Sequence, residues 1–440
     1  MMKITLIGMT SCKLGGMEFA NLGNYTIMEP LMRGLEKEIP ESRIFTSIQM
    51  SEGFCKRYGI VCLRGKRFWS YAGETAIETL ADIFRIGFWL VIKVLFRKDA
   101  GSLLKKSQLL SVVKSSDLVI DFSGDIFGDN ARPSQFLEGC AEILFAKLLA
   151  KPVIMLAGSP GPFRSFWRKK LAKHVFNKVD LITNREPVST DLLLDIGVEK
   201  EKIRTTACPA FLFEGKPKET GAEVLREEGV PLDGEKPLVG VILCGWNMPT
   251  PPFNKVPRKE EELSSFCRVI THLLGEKGCR VILMSHQNKI RQDGSMAKGT
   301  DHIILEQIYY LLKNKGWGNS LFILNGVYDA ALSKAIIGNF NILISGRIHG
   351  AISGLSQCVP TSIIDYGHEP KAHKLKGFAR LVGIEEYLCD PSEPEDMIEK
   401  VNRLMSKSDE VRTYLEKRIP EIKKRSMSNF ELVKNFYNKA

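Results

Sequence analysis

The first two hundred residues alternate short apolar runs with stretches of helical period. "MKITLIG", "SDLVIDFSG", "KPVIMLAG" and "DLITN" read as strands. Between them "YTIMEPLMRGLEKEI", "FLEGCAEILFAKLLA", "FWRKKLAKHVFNKV" and "STDLLLDIG" carry the three-to-four residue spacing of helices. Strand and helix in steady alternation predict a parallel sheet with helices on both faces. From Phe213 to Leu238 the chain turns polar and rich in Gly, Pro, Lys and Glu, which predicts a linker over 213–237. The alternation then restarts with "LVGVILCG", "CRVILMSH", "SLFILNG", "NILISG" and "TSIIDY" as strands. After Ser392 the sequence is charged and helical to its end. The expected organisation is a Rossmann-like domain over 1–212, the linker, a second Rossmann-like domain over 238–391 and a helical tail over 392–440. Two such doubly wound domains are expected to face a cleft with the loops that follow their strands, where sheets of this kind bind ligands.

Composition refines this picture modestly. At 440 residues, with 44% hydrophobic and 26% charged positions, the chain has material for two ordinary globular cores. A formal charge of +11 favours anionic partners. No zinc-finger spacing, aromatic RNA-binding signature or basic heptad is present, so no nucleic-acid partner is expected. Ten cysteines include no C-x-x-C pair and read as reduced residues of a cytoplasmic protein. "MMKITLIGMTSCKLGG" reads as a first strand, not a signal peptide.

One segment resists this assignment. "IFRIGFWLVIKVLF" (83–96) is almost wholly apolar, but its fourteen residues fall short of the ~20 that span a bilayer. On a helical wheel Asp82, Arg85, Lys93 and Arg97 share one sector and leave a broad apolar face. Two readings follow for 83–98: a helix buried in the first domain, or a peripheral contact with a membrane surface.

The strand-end loops hold the candidate chemistry. Asn21 and Asn24, flanking Gly23, stand just before a predicted helix and can cap it or help hold an anion. "FSGDIFGDN" places Ser123, Gly124 and Asp125 after one strand; "LAGSPGPF" places Gly158 and Ser159 after another; "NREPVST" places Arg185 after a third, with Pro187 suited to a helix start. In the second domain Ser345 and Gly346 turn the chain after "NILI", so that Arg347 and His349 stand at the mouth of the next helix. The guanidinium can grip phosphate or carboxylate, and the imidazole can carry a proton near neutral pH. "TSIIDY" then delivers Tyr366, with His368 and Lys371 beyond it.

"SGRIHGAISGLSQCVPTSIIDYGHEPK" and "KPVIMLAGSPGPF…DLITNREPVSTDLLLDIGV" resemble the polysaccharide pyruvyl transferases, and "NLGN" and "DLVIDFSGD" resemble that family's first-domain loops. Asn24 stands where the family commonly has Asp, Cys358 where Gly is usual, and the Tyr366-to-Lys371 spacing is longer than usual. The resemblance implies a GT-B-like pair of Rossmann domains that moves the carboxyvinyl group of phosphoenolpyruvate onto a sugar or lipid-linked saccharide, giving a pyruvate ketal and free phosphate. It implies phosphoenolpyruvate as donor substrate, no metal or cofactor, and work in the cytoplasm or at the inner face of the cell membrane. His349 is then the proton donor or a holder of the departing phosphate. Arg347, Lys371 and Tyr366 would serve the donor, and the loops of the first domain the acceptor. Two alternatives share the architecture: a nucleotide-sugar glycosyltransferase, with Asp365 or Glu369 serving the ribose hydroxyls, and a non-catalytic glycan-binding relative.

Overall fold

A computed structural model describes residues 1–8, 21–48, 50–63, 72–97, 100–129, 131–245, 248, 251–252, 255–290, 296–366 and 373–438. The chain divides into two compact units. The first comprises 1–14, 31–208 and 427–440; the second comprises 15–30 and 209–426.

In chain order the elements up to residue 205 are β1 (Lys3–Ile7), α1 (Leu22–Glu38), β2 (Arg43–Thr46), α2 (Glu52–Arg57), β3 (Val61–Cys62), α3 (Ala72–Phe96), α4 (Gln108–Ser115), β4 (Leu118–Asp121), α5 (Pro133–Leu148), β5 (Val153–Gly158), α6 (Phe166–Phe176), β6 (Leu181–Asn184), α7 (Pro187–Asp195) and β7 (Ile203–Thr205). Their strands form one sheet in the order β3-β2-β1-β4-β5-β6-β7, and every pairing is parallel. All residues of β4, β5 and β6 are buried, as expected of a parallel sheet covered by helices on both faces. Strand order reverses between β1 and β4, so the crevice beyond their C-terminal ends is the expected ligand position of this unit.

The chain continues with α8 (Lys218–Glu227), β8 (Leu238–Ile242), α9 (Ser264–Gly275), β9 (Arg280–Leu283), the hairpin β10 (Asn288–Ile290) and β11 (Met296–Lys298), α10 (Thr300–Leu312), β12 (Leu321–Ile323), α11 (Ala330–Ile337), β13 (Ile342–Ser345), α12 (Ile348–Leu355), β14 (Thr361–Ile364), α13 (His373–Val382), β15 (Leu388–Cys389), α14 (Pro394–Ser406) and α15 (Ser408–Tyr437). The second sheet, in the order β12-β9-β8-β13-β14-β15, is again parallel throughout, with its reversal between β8 and β13.

Three boundaries differ from the sequence expectation. The polar stretch 213–237 is no free linker: α8 lies within it, Leu225 and Val230 enter the second core, and Gly221 lets α8 approach α11 so closely that a Cβ would sit 2.4 Å from the Ala335 backbone. Its few apolar residues are diluted among Lys, Glu and Gly, which hid them. Residues 21–30 belong to the second unit, not to a first domain over 1–212. The helical tail is also shared. Its last residues pack in the first unit, where the buried Asn429 side chain accepts from Thr183 Oγ1 and Thr206 Oγ1 at 2.8 Å each and donates to the Ala207 carbonyl at 2.9 Å. Among the described residues no helix is long and apolar enough to cross a membrane.

Candidate active site

In the second unit four consecutive strands of the sheet deliver polar groups from their C-terminal ends. β8 leads to Cys244 and Gly245, β9 to His286 and Gln287, β13 to Ser345, Gly346 and Arg347, and β14 to Asp365 and Tyr366. These loops straddle the β8–β13 reversal.

Arg347 is the N-terminal boundary residue of α12, and its guanidinium is already engaged. Nε donates to Asp301 Oδ2 at 2.8 Å, while Nη2 donates to Asp301 Oδ1 at 2.5 Å and to Gln287 Oε1 at 3.1 Å. Asp301 has no exposed side-chain surface and Arg347 only 11%. Asp301 Oδ1 also accepts the Gly245 amide at 2.9 Å. Burial works against the charge on Arg347, but the Asp301 carboxylate more than offsets it, and the guanidinium is held above its ordinary pKa. The sequence reading of Arg347 as an open anion grip therefore needs adjusting: its Asp301-facing edge is used within the protein, in a bidentate pair.

Tyr366 is buried, and its hydroxyl oxygen accepts the Cys244 amide at 2.9 Å. Burial, with the Cys244 thiol adding to it, pushes its pKa well above the ordinary value, so the phenol stays neutral. Gly346 is required by this packing, since a Cβ there would lie 2.0 Å from the phenol oxygen. His286, also buried, is driven down to about 3 by desolvation and then by the Arg347 charge; it is a neutral imidazole at physiological pH.

His349 lies in the first turn of α12, half-buried. The segment 21–24 packs against it: a Cβ on Gly23 would stand 2.5 Å from His349 Nδ1. Asn21 forms an isolated antiparallel bridge with Gln287, and the Asn21 carbonyl accepts the amides of Asn24 and Tyr25 at 3.0 and 3.3 Å. The helix begins at Leu22, so Gly23 and Asn24 lie inside its first turn, not before it. Lys371, His368 and Glu369 lie outside the described residues.

The first unit gathers the other candidates around the ends of β4, β5 and β6. Arg185 Nε donates to Ser159 Oγ at 2.7 Å, and the Arg185 amide donates to the Gly158 carbonyl at 2.9 Å. The Ser159 amide donates to the Gly124 carbonyl at 2.8 Å, and Gly124 takes a φ of +64°, followed in the chain by Asp125. Ser123 Oγ donates to Asp121 Oδ1 at 2.5 Å. Burial raises Asp121 to about 7, against the hydrogen bond from Ser123 and with the help of the Glu142 carboxylate. At the β1–β4 reversal, Gly8 has a φ of +135°, and a Cβ there would lie 2.8 Å from the Phe122 carbonyl. Pro187 opens α7 as expected, and the buried Glu186 side chain caps it by accepting the Ser189 amide.

The structure thus assembles Ser123, Gly124, Asp125, Gly158, Ser159 and Arg185 in the first unit, and Asn21, Asn24, Arg347, His349 and Tyr366 in the second. Sequence reasoning missed Asp301, Gln287 and His286. "VILMSHQN" carried a signal for the last two, because it ends an apolar strand on four polar residues.

Two parallel doubly wound sheets with polar strand-end loops and a helical C-terminal region define a GT-B-like protein. The chain belongs to the polysaccharide pyruvyl transferase family, whose profile matches residues 21–368. It is 25% identical over 313 residues to the amylovoran biosynthesis protein AmsJ of Erwinia amylovora, covering 69% of each chain. Among solved structures it resembles HepE of Anabaena in complex with UDP and glucose, with a TM-score of 0.57 at 12% identity over the whole of both chains. It likewise resembles a UDP-GlcNAc 2-epimerase of Neisseria meningitidis bound to UDP-GlcNAc, with a TM-score of 0.56 at 11% identity over both whole chains. At such identities these two likenesses establish the fold alone.

Proposed function

We propose that the protein transfers the carboxyvinyl group of phosphoenolpyruvate to two hydroxyls of a sugar in a cell-surface polysaccharide or its lipid-linked precursor, at the cytoplasmic face of the cell membrane. The donor methylene gains a proton, C2 bonds to both sugar oxygens, and the two hydroxyl protons are released or passed on. The C2–O bond to phosphate breaks, so the products are a pyruvate ketal and inorganic phosphate.

One observation carries this reading. The family match begins at Asn21 and ends at residue 368, and segments near its two ends meet in the second unit, with Gly23 against His349. That contact leaves room for no side chain at position 23 and fixes the imidazole beside the strand-end loops. His349 is then the proton donor to the methylene carbon. The Arg347–Asp301 pair holds the mouth of α12 in place, while Tyr366 and Lys371 serve the anionic groups of the donor. The first unit, with Arg185 and the loops 123–125 and 158–159, serves the acceptor. The chemistry calls for no metal or cofactor.

The test uses the full-length protein, phosphoenolpyruvate and the producing organism's glycan after mild acid has removed its ketals. Acceptor-dependent phosphate release, with a mass gain of one carboxyethylidene unit on the sugar, is the expected result. Glycosyl transfer from a UDP- or GDP-sugar with no turnover of phosphoenolpyruvate would establish the glycosyltransferase reading instead.

A further inference from the structure

Helix α3 is oriented with its apolar side outward. Its inward side carries Thr79, Asp82, Ile86 and Trp89, all buried. Asp82 accepts from Ser107 Oγ at 3.0 Å and pairs with Arg85 at 2.6 Å, and Lys93 Nζ lies 4.7 Å from the centre of the Trp89 ring. Of the charged sector expected from the wheel, Asp82 and Arg85 are thus turned to the protein alongside Ile86 and Trp89, while Lys93 and Arg97 are exposed; the reading that buries the apolar face is corrected.

The outward side carries Leu80, Phe84, Phe88, Val91 and Leu95, between 47% and 75% exposed, with Ile77, Ile83, Val94 and Phe96 beside them. Together these side chains expose on the order of 1000 Å², well beyond the few hundred that a soluble monomer usually leaves in one patch. From Ile77 to Leu95 the stripe runs about 27 Å at the helical rise. From Lys93 through Arg97 every residue is exposed, so the end of the helix stands clear of the unit.

The surroundings of this stripe say what covers it. No described residue from Ile83 to Ser116 is acidic, whereas Arg85, Lys93, Arg97, Lys105, Lys106 and Lys114 are basic. Helix α5 packs against α3, and α6 packs against α5, over the same core cluster. The two acids of α5, Glu138 and Glu142, are buried, and α6 has none. What α6 offers to solvent is Phe166, at 71% exposure, and Trp167, with Arg164, Lys169 and Lys170 around them. A second copy docked face to face would bring these cations together with few described carboxylates to meet them, since on α3 Asp82 is buried and paired with Arg85 and Glu78 is half-buried. An apolar stripe with aromatic residues and a predominantly basic rim instead matches a bilayer carrying anionic head groups.

We propose that the first unit docks peripherally on an anionic lipid surface through the outward face of α3. Since no helix among the described residues is long and apolar enough to cross, α3 would lie in the interface plane. This inference stands whether or not phosphoenolpyruvate is the donor.

The test is cosedimentation of the full-length protein with phosphatidylglycerol-containing and pure phosphatidylcholine vesicles at low and high salt. Binding to the anionic vesicles at low salt, reduced by roughly tenfold or more in 0.5 M salt, is expected. Phe84→Glu with Phe88→Glu should lower partitioning by at least about tenfold with an unchanged melting temperature, because both side chains are already in water. Leu95→Glu, at the projecting end of the helix, provides a second variant should the first fold poorly. Failure of the wild type to bind anionic vesicles overturns the proposal, as does equal binding by folded variants. A dimer dissolved by the same substitutions, without vesicle binding, would assign the face to a second copy and overturn it equally.

Discussion

Removing Asp301 puts the architecture of the second-unit site to a severe test. In Asp301→Ala the buried Arg347 loses the partner of its Nε and of one of its Nη2 contacts, keeping only the Gln287 contact among the bonds described above, and the Gly245 amide loses its acceptor. Breaking a buried ion pair from one side costs about 3–5 kcal/mol because the remaining charge stays desolvated. The orphaned amide adds about 1 kcal/mol. The expected destabilisation is therefore about 5 kcal/mol, or a fall of roughly 10–20 °C in the melting temperature of a unit of this size. Replacing both partners, in Asp301→Leu with Arg347→Met, should recover most of that loss, since an apolar pair of similar volume avoids both desolvation penalties. The assay is urea unfolding followed by a probe in the second unit, because the two units need not unfold together. A change within about 1 kcal/mol for Asp301→Ala would refute the reasoning, since surface pairs contribute no more than about this and a desolvated Arg347 must contribute more.

Gly23→Ala places a methyl group within 2.5 Å of His349 Nδ1 and should reduce turnover by displacing the imidazole, with an overpacking cost of about 1–3 kcal/mol in stability; wild-type turnover in the folded variant would show that the position of the imidazole is not used. His349→Gln should lower kcat by about 100-fold or more with little change in donor affinity, the signature of a group acting only in the transition state, as read from steady-state kinetics and calorimetry. Asp121, raised to about 7 by burial, makes a contribution whose sign follows from linkage: the folded state holds the proton more tightly, so stability is highest below the unfolded pKa near 4 and is lost as pH rises through about 7. Asp121→Asn should flatten that slope in denaturant midpoints measured from pH 4 to 8. His286, held near 3, acts in the opposite sense and costs stability as pH falls below the ordinary histidine range.

Much of the scaffold was legible because buried parallel strands must be apolar on both faces. "LVID", "VIMLAG", "LVGVI" and "ILIS" stand out for that reason, and the loops after them were sound places to look. β2, β3, β7 and β15 are short and only partly buried, so they carry too little apolar pattern to be seen. The position of Asn21 and Asn24 was misjudged because α1 begins in one unit and ends in the other, and nothing in its periodicity marks the division at Pro30. Asp301 was invisible for a different reason: an Asp at the start of a helix already has a local explanation, and its partner lies 46 positions away. In α3 the period revealed which residues share a face, but not which face turns inward. That choice depended on Ser107, which hydrogen-bonds the buried Asp82 from 25 residues further on.

The central claim is that the second unit holds phosphoenolpyruvate, and thermal unfolding of the full-length protein with candidate donors tests it most directly. A ligand that binds only the folded protein raises its melting temperature, by an amount equivalent to about 2.7 kcal/mol at one hundred times its Kd. Saturating phosphoenolpyruvate should give such a shift, UDP- and GDP-sugars should not, and the shift should shrink in Lys371→Ala. Stabilisation by a nucleotide-sugar and none by phosphoenolpyruvate would contradict the account.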